Sequence, residues 1–197
     1  MDGSLMKKTL ALSVLFALFV SPFAGAQERW SLDVTSGKLK PISLKTGYDS
    51  WHTWWYVVVT IKNDTGAARP LNLLARAETD TKKTSRAVFR PMVRRAIEKK
   101  EGKKLANLIS LRGNLDNGKS VDAVIIFGDL DRLADRIDIH IQGLSAYIYR
   151  DGLKVYKEIR EYVIPFLRRG DEYEVYRNPV KKLIPRWVVV TRERFRG

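Results

Sequence analysis

The sequence contains no cysteine and only two histidines, His52 and His140. The absence of cysteine excludes disulfides, cysteine-ligated zinc, thiol catalysis and lipid attachment at a cleavage-site cysteine. The scarcity of histidine leaves few bases for a serine hydrolase, and neither histidine lies in a Gly-x-Ser-x-Gly motif. We therefore do not expect an enzyme. A hydrolase with an unrecognised site is the remaining catalytic alternative.

Carboxylates that could bind a metal are also scarce. Four aspartates lie between positions 129 and 138, but Leu133 occupies the third alternating position of a calcium loop, and no glycine follows within the segment. Asp129 and Asp131 fit a capping role at a helical turn instead. We expect no metal and no cofactor.

The first 26 residues have the pattern of an export signal. Two lysines precede the apolar segment 9–20, and the tripeptide Ala24–Ala26 has the small-x-small pattern that signal peptidases accept. The apolar segment has about 12 residues, whereas a helix that spans a bilayer needs ~20. We predict a cleaved signal peptide at residues 1–26 and a single exported domain at residues 27–197, periplasmic or extracellular, with no transmembrane span. An uncleaved N-terminal anchor is the alternative.

Basic residues outnumber acidic residues, 36 to 22, which gives a formal net charge of +14. Such an excess favours anionic partners, such as phosphate-bearing envelope polymers, anionic lipid or acidic proteins. No nucleic-acid recognition motif is visible, so specific DNA or RNA binding is not expected. Charge that only maintains solubility is the alternative interpretation.

Most of the chain after the signal alternates apolar and polar residues, as half-buried strands do. The strand-like run 54–63 ends in a strong turn signal, NDTG. Segments 118–130 and 135–150 alternate in the same way. Short strands at short intervals predict a mainly β protein, an antiparallel β-sandwich rather than a parallel α/β fold.

One short amphipathic helix is predicted to interrupt the strands at about residues 91–101. Pro91 suits the first helical position, and Gly102 suits the end. The helical period places four apolar residues on one stripe, namely Met92, Val93, Ala96 and Ile97.

Basic residues are concentrated around this helix. Ten of the residues from Lys82 to Lys104 are basic, against two glutamates. On the helix they lie opposite the apolar stripe, and such a cationic face can contact anionic polymer or lipid headgroups. A solvated helix face on a basic protein is the alternative. The candidate binding residues are Arg90, Arg94, Arg95, Lys99 and Lys103.

A second candidate site lies in the aromatic stretch 51–62. In a strand, the odd-numbered residues share a face that becomes more apolar along the run, which indicates the core. The other face leaves His52, Trp54 and Tyr56 as candidate surface residues, and aromatic rows can stack on sugar rings or bases. Alternatively, the N-terminal strands or residues 151–168 cover these rings.

The segments "YVVVTIKNDTG", "PLNLLARAETD", "VIIFGDLDRLADRIDIHIQGL" and "PVKKLIPRWVVV" share a layout of strands and turns with a known group. Over most of residues 54–190, the chain resembles immunoglobulin-like β-sandwich proteins of unknown function that bacteria export. The resemblance implies an immunoglobulin-like fold with an interaction or structural role, and it supplies no catalytic residues.

Together, these patterns predict a non-catalytic exported module. Its expected partner is an anionic envelope component or another exported protein, contacted through the basic surface. A carbohydrate-binding module that uses the aromatics near Trp54 is the alternative.

Overall fold

A computed structural model describes residues 29–46, 48, 50–151, 154–170, 174 and 177–194. The predicted signal peptide at residues 1–26 lies outside them. In chain order, the strands are β1 (Arg29–Ser31), β2 (Asp33–Ser36), β3 (Lys40–Lys45), β4 (Trp51–Lys62), β5 (Arg69–Pro70), β6 (Leu74–Thr79), β7 (Thr84–Arg86), β8 (Ala106–Asn107), β9 (Asn114–Leu115), β10 (Ser120–Phe127), β11 (Arg136–Gln142), β12 (Ser145–Asp151), β13 (Lys154–Leu167), β14 (Lys181–Lys182) and β15 (Arg186–Arg194). The helix α1 spans Pro91–Glu101, and a 3₁₀ turn spans Leu108–Ser110.

Two sheets contain most of the strands. The larger has eight strands in the order β1-β12-β13-β11-β6-β7, with β14 and β15 also paired to β13. The smaller has five, in the order β2-β4-β10-β8, with β3 also paired to β4. Strands β5 and β9 form a separate pair. The pairings are antiparallel except for the short contact between β8 and β10, which is parallel.

The first strands of the described chain contact segments that lie far along the sequence. β1 pairs with β12, so that Ser31 lies opposite Ser145. Near the other end, Lys182 Nζ donates a hydrogen bond to the Ser36 carbonyl oxygen at 2.6 Å. The first strands are therefore held by segments more than a hundred residues away in sequence.

The main core lies between the two sheets. The larger sheet contributes Ile137, Ile139 and Ile141 from β11, and the smaller contributes Trp55, Val57, Val59 and Ile61 from β4. These side chains follow the period-two alternation of their strands, because successive residues project to opposite faces. The prediction of a mainly β, antiparallel sandwich with one short helix is confirmed.

A second, smaller core lies on the outer face of the five-stranded sheet, beneath α1. Val93 and Ile97 of the helix pack there with Tyr56 of β4 and with Val124 and Ile126 of β10. The helix therefore acts as a partial third layer on one side of the sandwich.

The ends of α1 agree with the sequence signals. Pro91 begins the helix, and Gly102 ends it with φ 68°, a left-handed conformation that glycine adopts without strain. The predicted apolar stripe needs one correction, because Met92 is 59% exposed while Val93 and Ile97 are buried. Among the described residues, no helix has the length and apolarity required to cross a membrane.

Candidate functional site

Strand β4 presents apolar side chains on both faces, and each face is covered beyond the first residues of the strand. Its odd-numbered residues from Trp55 to Ile61 lie in the main core, as the alternation predicts. On the other face, Tyr56 is fully buried and packs with Val93 and Ile97 of α1. The prediction that Tyr56 is a surface aromatic is therefore wrong. The cover is α1, rather than the N-terminal strands or residues 151–168.

The Tyr56 hydroxyl donates a hydrogen bond to Glu101 Oε1 at 2.7 Å, and Lys40 Nζ lies 2.8 Å from the same oxygen. Burial raises the pKa of Tyr56, and the hydrogen bond to Glu101 raises it further. Burial also acts to raise the pKa of Glu101, but hydrogen bonds from Lys40 and Tyr56 outweigh it, so that this pKa is lowered. The network fastens the end of α1 to β3 and β4.

Trp54 is half-buried, and neighbouring groups surround its ring. The His52 ring centroid lies 4.5 Å away, and the Arg90 guanidinium lies 5.8 Å from the indole centroid. A Cβ at position 128 would lie 3.2 Å from the indole ring, so Gly128 allows the ring to approach the backbone. The structure thus places Trp54 in a packed position, whereas the sequence predicts a surface aromatic there.

The exposed aromatic of this stretch is Trp51, which is 69% exposed. It lines an open groove of about 390 Å³, here called the Trp51 groove, together with His52, Asp129 and Arg132. His52 Nε2 lies 2.9 Å from the Gly128 carbonyl oxygen. The alternation of apolar and polar residues assigns Trp51 to the core, but the side chain is exposed. The pattern fails here because it does not show where along a strand the core ends.

The two histidines lie in different sheets, His52 on β4 and His140 on β11. Ser43 lies opposite Thr53, with their hydroxyl oxygens 2.9 Å apart, whereas His52 lies opposite Leu44 in the next register position. Ser43 and His52 nevertheless both line the Trp51 groove.

The basic candidates divide into two groups. Arg94 pairs with Glu98 at 2.9 Å and also donates to the Leu105 carbonyl oxygen, and Lys103 pairs with Asp122 at 3.0 Å. These two cations are therefore partly neutralised within the protein. They contribute less to an anion-binding surface than the sequence pattern suggests.

The other three candidates, Arg90, Arg95 and Lys99, are exposed and have no carboxylate partner among the residues described. We call them the basic face. Arg95 and Lys99 are one turn apart on α1, on the side away from the buried Val93 and Ile97. The basic face therefore has the outward orientation that the sequence predicts.

Two large apolar side chains accompany the basic face. Phe89 is 53% exposed just before α1, and Met92 is 59% exposed on its first turn. Exposed apolar groups beside exposed cations are an arrangement that suits the boundary between lipid headgroups and acyl chains.

No family model matches the sequence, and no curated protein matches it either. Among solved structures, the chain is similar to MPT63, described as a secreted protein from Mycobacterium tuberculosis. The two are 13% identical, with a TM-score of 0.35 over 66% of this chain and 87% of that one. The fold assignment therefore rests on the strand pairing and core of the chain itself.

Proposed function

We propose that the protein is a non-catalytic, exported binding module that contacts an anionic envelope component through its basic face. The observation that carries the proposal is the set of three exposed cations, Arg90, Arg95 and Lys99, without carboxylate partners among the described residues. The net charge of +14 adds a long-range attraction toward any polyanion.

The structure favours an anionic membrane surface over a purely charged polymer as this component. Each Lys or Arg near an anionic membrane contributes about 1 kcal/mol, so three cations together provide about 3 kcal/mol. Phe89 and Met92 can then bury apolar surface at the headgroup boundary, which a soluble polyanion does not offer. This association is peripheral and sensitive to ionic strength.

Neutralising two cations of the basic face tests the proposal. We expect Arg95→Gln with Lys99→Gln to weaken binding to vesicles containing phosphatidylglycerol by about thirtyfold, since two membrane-proximal charges are lost. The matched control is Lys154→Gln with Lys157→Gln, which removes the same charge from exposed positions of β13. Titration calorimetry at two salt concentrations measures both variants.

Equal weakening by the control pair would show that net charge acts without a defined site, and would contradict the proposal. Binding to pure phosphatidylcholine with the same affinity would also contradict it. A soluble polyphosphate that binds as tightly as the vesicles would identify a polymer, rather than lipid, as the anionic component.

The Trp51 groove supports a second candidate function, carbohydrate binding. An exposed indole beside polar groups such as His52 and Asp129 can stack on a sugar ring while those groups accept or donate hydrogen bonds.

If the Trp51 groove binds carbohydrate, we expect Trp51→Ala to abolish binding of a soluble N-acetylglucosamine hexamer, and we expect that binding to be insensitive to salt. Trp187→Ala is the control, because Trp187 is a partly exposed tryptophan on β15. Equal binding by Trp51→Ala and the unmodified protein would eliminate this candidate.

A further inference from the structure

A second cavity, of about 490 Å³, lies beside the β6–β7 edge of the larger sheet. It lies within the roughly 300–1,000 Å³ range of small-molecule sites. Its charged and titratable lining consists of Arg76, Arg86, Arg112 and His140, without a carboxylate among the lining residues. We call it the arginine pocket. None of its lining residues belongs to α1 or to the basic face.

Arg76 and Arg86 lie directly opposite each other on β6 and β7. Like charges at such a position destabilise a sheet unless something compensates them. Arg76 is compensated, because both of its terminal nitrogens bind the Glu161 carboxylate and its Nε donates to Glu78 at 2.8 Å. Arg86 is exposed and has no carboxylate partner among the described residues. Its charge therefore remains available to a ligand.

The other two charged or titratable groups, Arg112 and His140, are held in position. Arg112 Nη1 donates to the carbonyl oxygens of Ile109 and Leu111, at 3.0 and 2.7 Å, which fixes the guanidinium and leaves its other N–H groups uncommitted within the described chain. His140 Nδ1 lies 2.8 Å from the Glu161 carboxylate. Fixed donors lose less side-chain entropy when an anion binds.

Apart from Gln142, the remaining wall of the pocket is apolar. Leu74 is 57% exposed at the mouth, and Ala87 and Ile109 pack against the main core. A guanidinium rim above an apolar wall matches a ligand with an anionic head and an aliphatic body. Arginine binds carboxylate and phosphate alike through two parallel hydrogen bonds, so either head group fits.

We propose that the arginine pocket binds a small anionic amphiphile, with its carboxylate or phosphate on Arg86 and Arg112 and its aliphatic body against Leu74, Ala87 and Ile109. This inference goes beyond the proposed membrane contact and does not depend on it, because the two surfaces share no residue.

Calorimetry with four probes tests the proposal on the intact protein. Octanoate and octyl phosphate carry the two head groups, octanol lacks the charge, and inorganic phosphate lacks the aliphatic body. We expect saturable binding of octanoate or octyl phosphate, at least about tenfold tighter than of octanol or inorganic phosphate, because each omitted part removes one set of contacts. The stronger of the two charged probes identifies the head group.

Variants then locate the site. Arg86→Gln and Arg112→Gln are each expected to weaken binding of the charged probe about tenfold, because each removes a hydrogen bond to a charged group. Lys157→Gln, at an exposed position of β13 that belongs neither to the pocket nor to the basic face, is the control and is expected to leave binding unchanged. Methyl resonances of Leu74 and Ile109 should shift on titration of the unmodified protein, which reports the location without any substitution.

Three results would overturn the proposal. The first is that neither charged probe binds saturably, and the second is that octanol binds as tightly as the charged probes. The third is that Arg86→Gln and Arg112→Gln bind the charged probe as tightly as the unmodified protein does. Because both arginines are exposed, these substitutions are expected to leave the fold intact, and circular dichroism checks this. Vesicle binding by the Arg95 and Lys99 variants tests the proposed membrane contact, and its loss would leave the proposal for the arginine pocket unchanged.

Discussion

Replacing Glu161 with glutamine is expected to lower the free energy of unfolding by about 3 kcal/mol. Only 1% of the Glu161 side chain is exposed, and its carboxylate accepts hydrogen bonds from Arg76 and lies 2.8 Å from His140 Nδ1. Neutralising Glu161 leaves Arg76 with the partly exposed Glu78 as its remaining carboxylate partner among the described residues. The expected loss of stability lies at the lower end of the range for broken buried ion pairs, because 32% of the Arg76 side chain reaches solvent and can be hydrated.

Glu161 is also expected to make the stability of the protein depend on pH. Burial acts to raise the pKa of Glu161, but the hydrogen bonds from Arg76 and His140 outweigh it, so this pKa lies below its ordinary value in the folded protein. The ionised carboxylate therefore contributes stability that is fully present above about pH 4.3, the unfolded value for glutamate. That contribution is lost as the pH falls through the lower folded pKa.

Urea denaturation at pH 7 and at a series of values down to pH 3 measures both effects. The Glu161→Gln variant should unfold at lower urea at pH 7 and lose less stability on acidification than the unmodified protein. Glu193→Gln, at an exposed position of β15, is the control and should change stability by no more than about 0.5 kcal/mol. An unchanged midpoint for Glu161→Gln at pH 7 would contradict the prediction.

Replacing Ile97 with alanine is expected to lower the free energy of unfolding by about 3 kcal/mol. Ile97 is fully buried between α1 and the five-stranded sheet, where it packs with Tyr56 and Ile126. The substitution leaves a cavity in the smaller core, which has few other residues able to close it. Loss of this packing loosens the helix that carries Arg95 and Lys99.

Met92→Ala is the matched control, since it makes the same kind of truncation on the same helix. Met92 is 59% exposed, and we expect its substitution to change stability by less than about 0.5 kcal/mol. The two unfolding midpoints, compared in urea, test whether α1 is anchored through Ile97. Equal midpoints for the two variants would show that the helix does not depend on the smaller core.

The features that sequence predicts well are local ones. Pro91 and Gly102 mark the ends of α1 because each has a conformational preference that acts within one or two residues. The odd-numbered face of β4 is likewise readable, because alternation depends only on the strand itself. These signals are sufficient to predict strands, the helix and the mainly β fold class.

What sequence cannot predict is which element covers which face. Both faces of β4 are apolar: the position of α1 decides that Tyr56 is buried, whereas Trp51 on the opposite face stays exposed because the main core ends before it. Charge pairing also depends on which elements come together in the fold. Lys103 pairs with Asp122, which is too distant in the sequence for a local pattern to predict the contact. The arginine pocket is the clearest case, because its residues come from strands and turns far apart in the chain. Export and the proposed partners remain predictions.

The contacts between the first strands and segments far along the sequence have a kinetic consequence. Ser31 opposite Ser145 and Lys182 against Ser36 close very long loops, and the entropy of loop closure must be overcome before these contacts form. We expect refolding in the millisecond-to-second range of β-rich domains rather than the microsecond range of helical bundles. In the time before β1 and β2 dock, the chain exposes the apolar strands that the finished sandwich hides, and the many cations of the sequence limit its self-association during that interval.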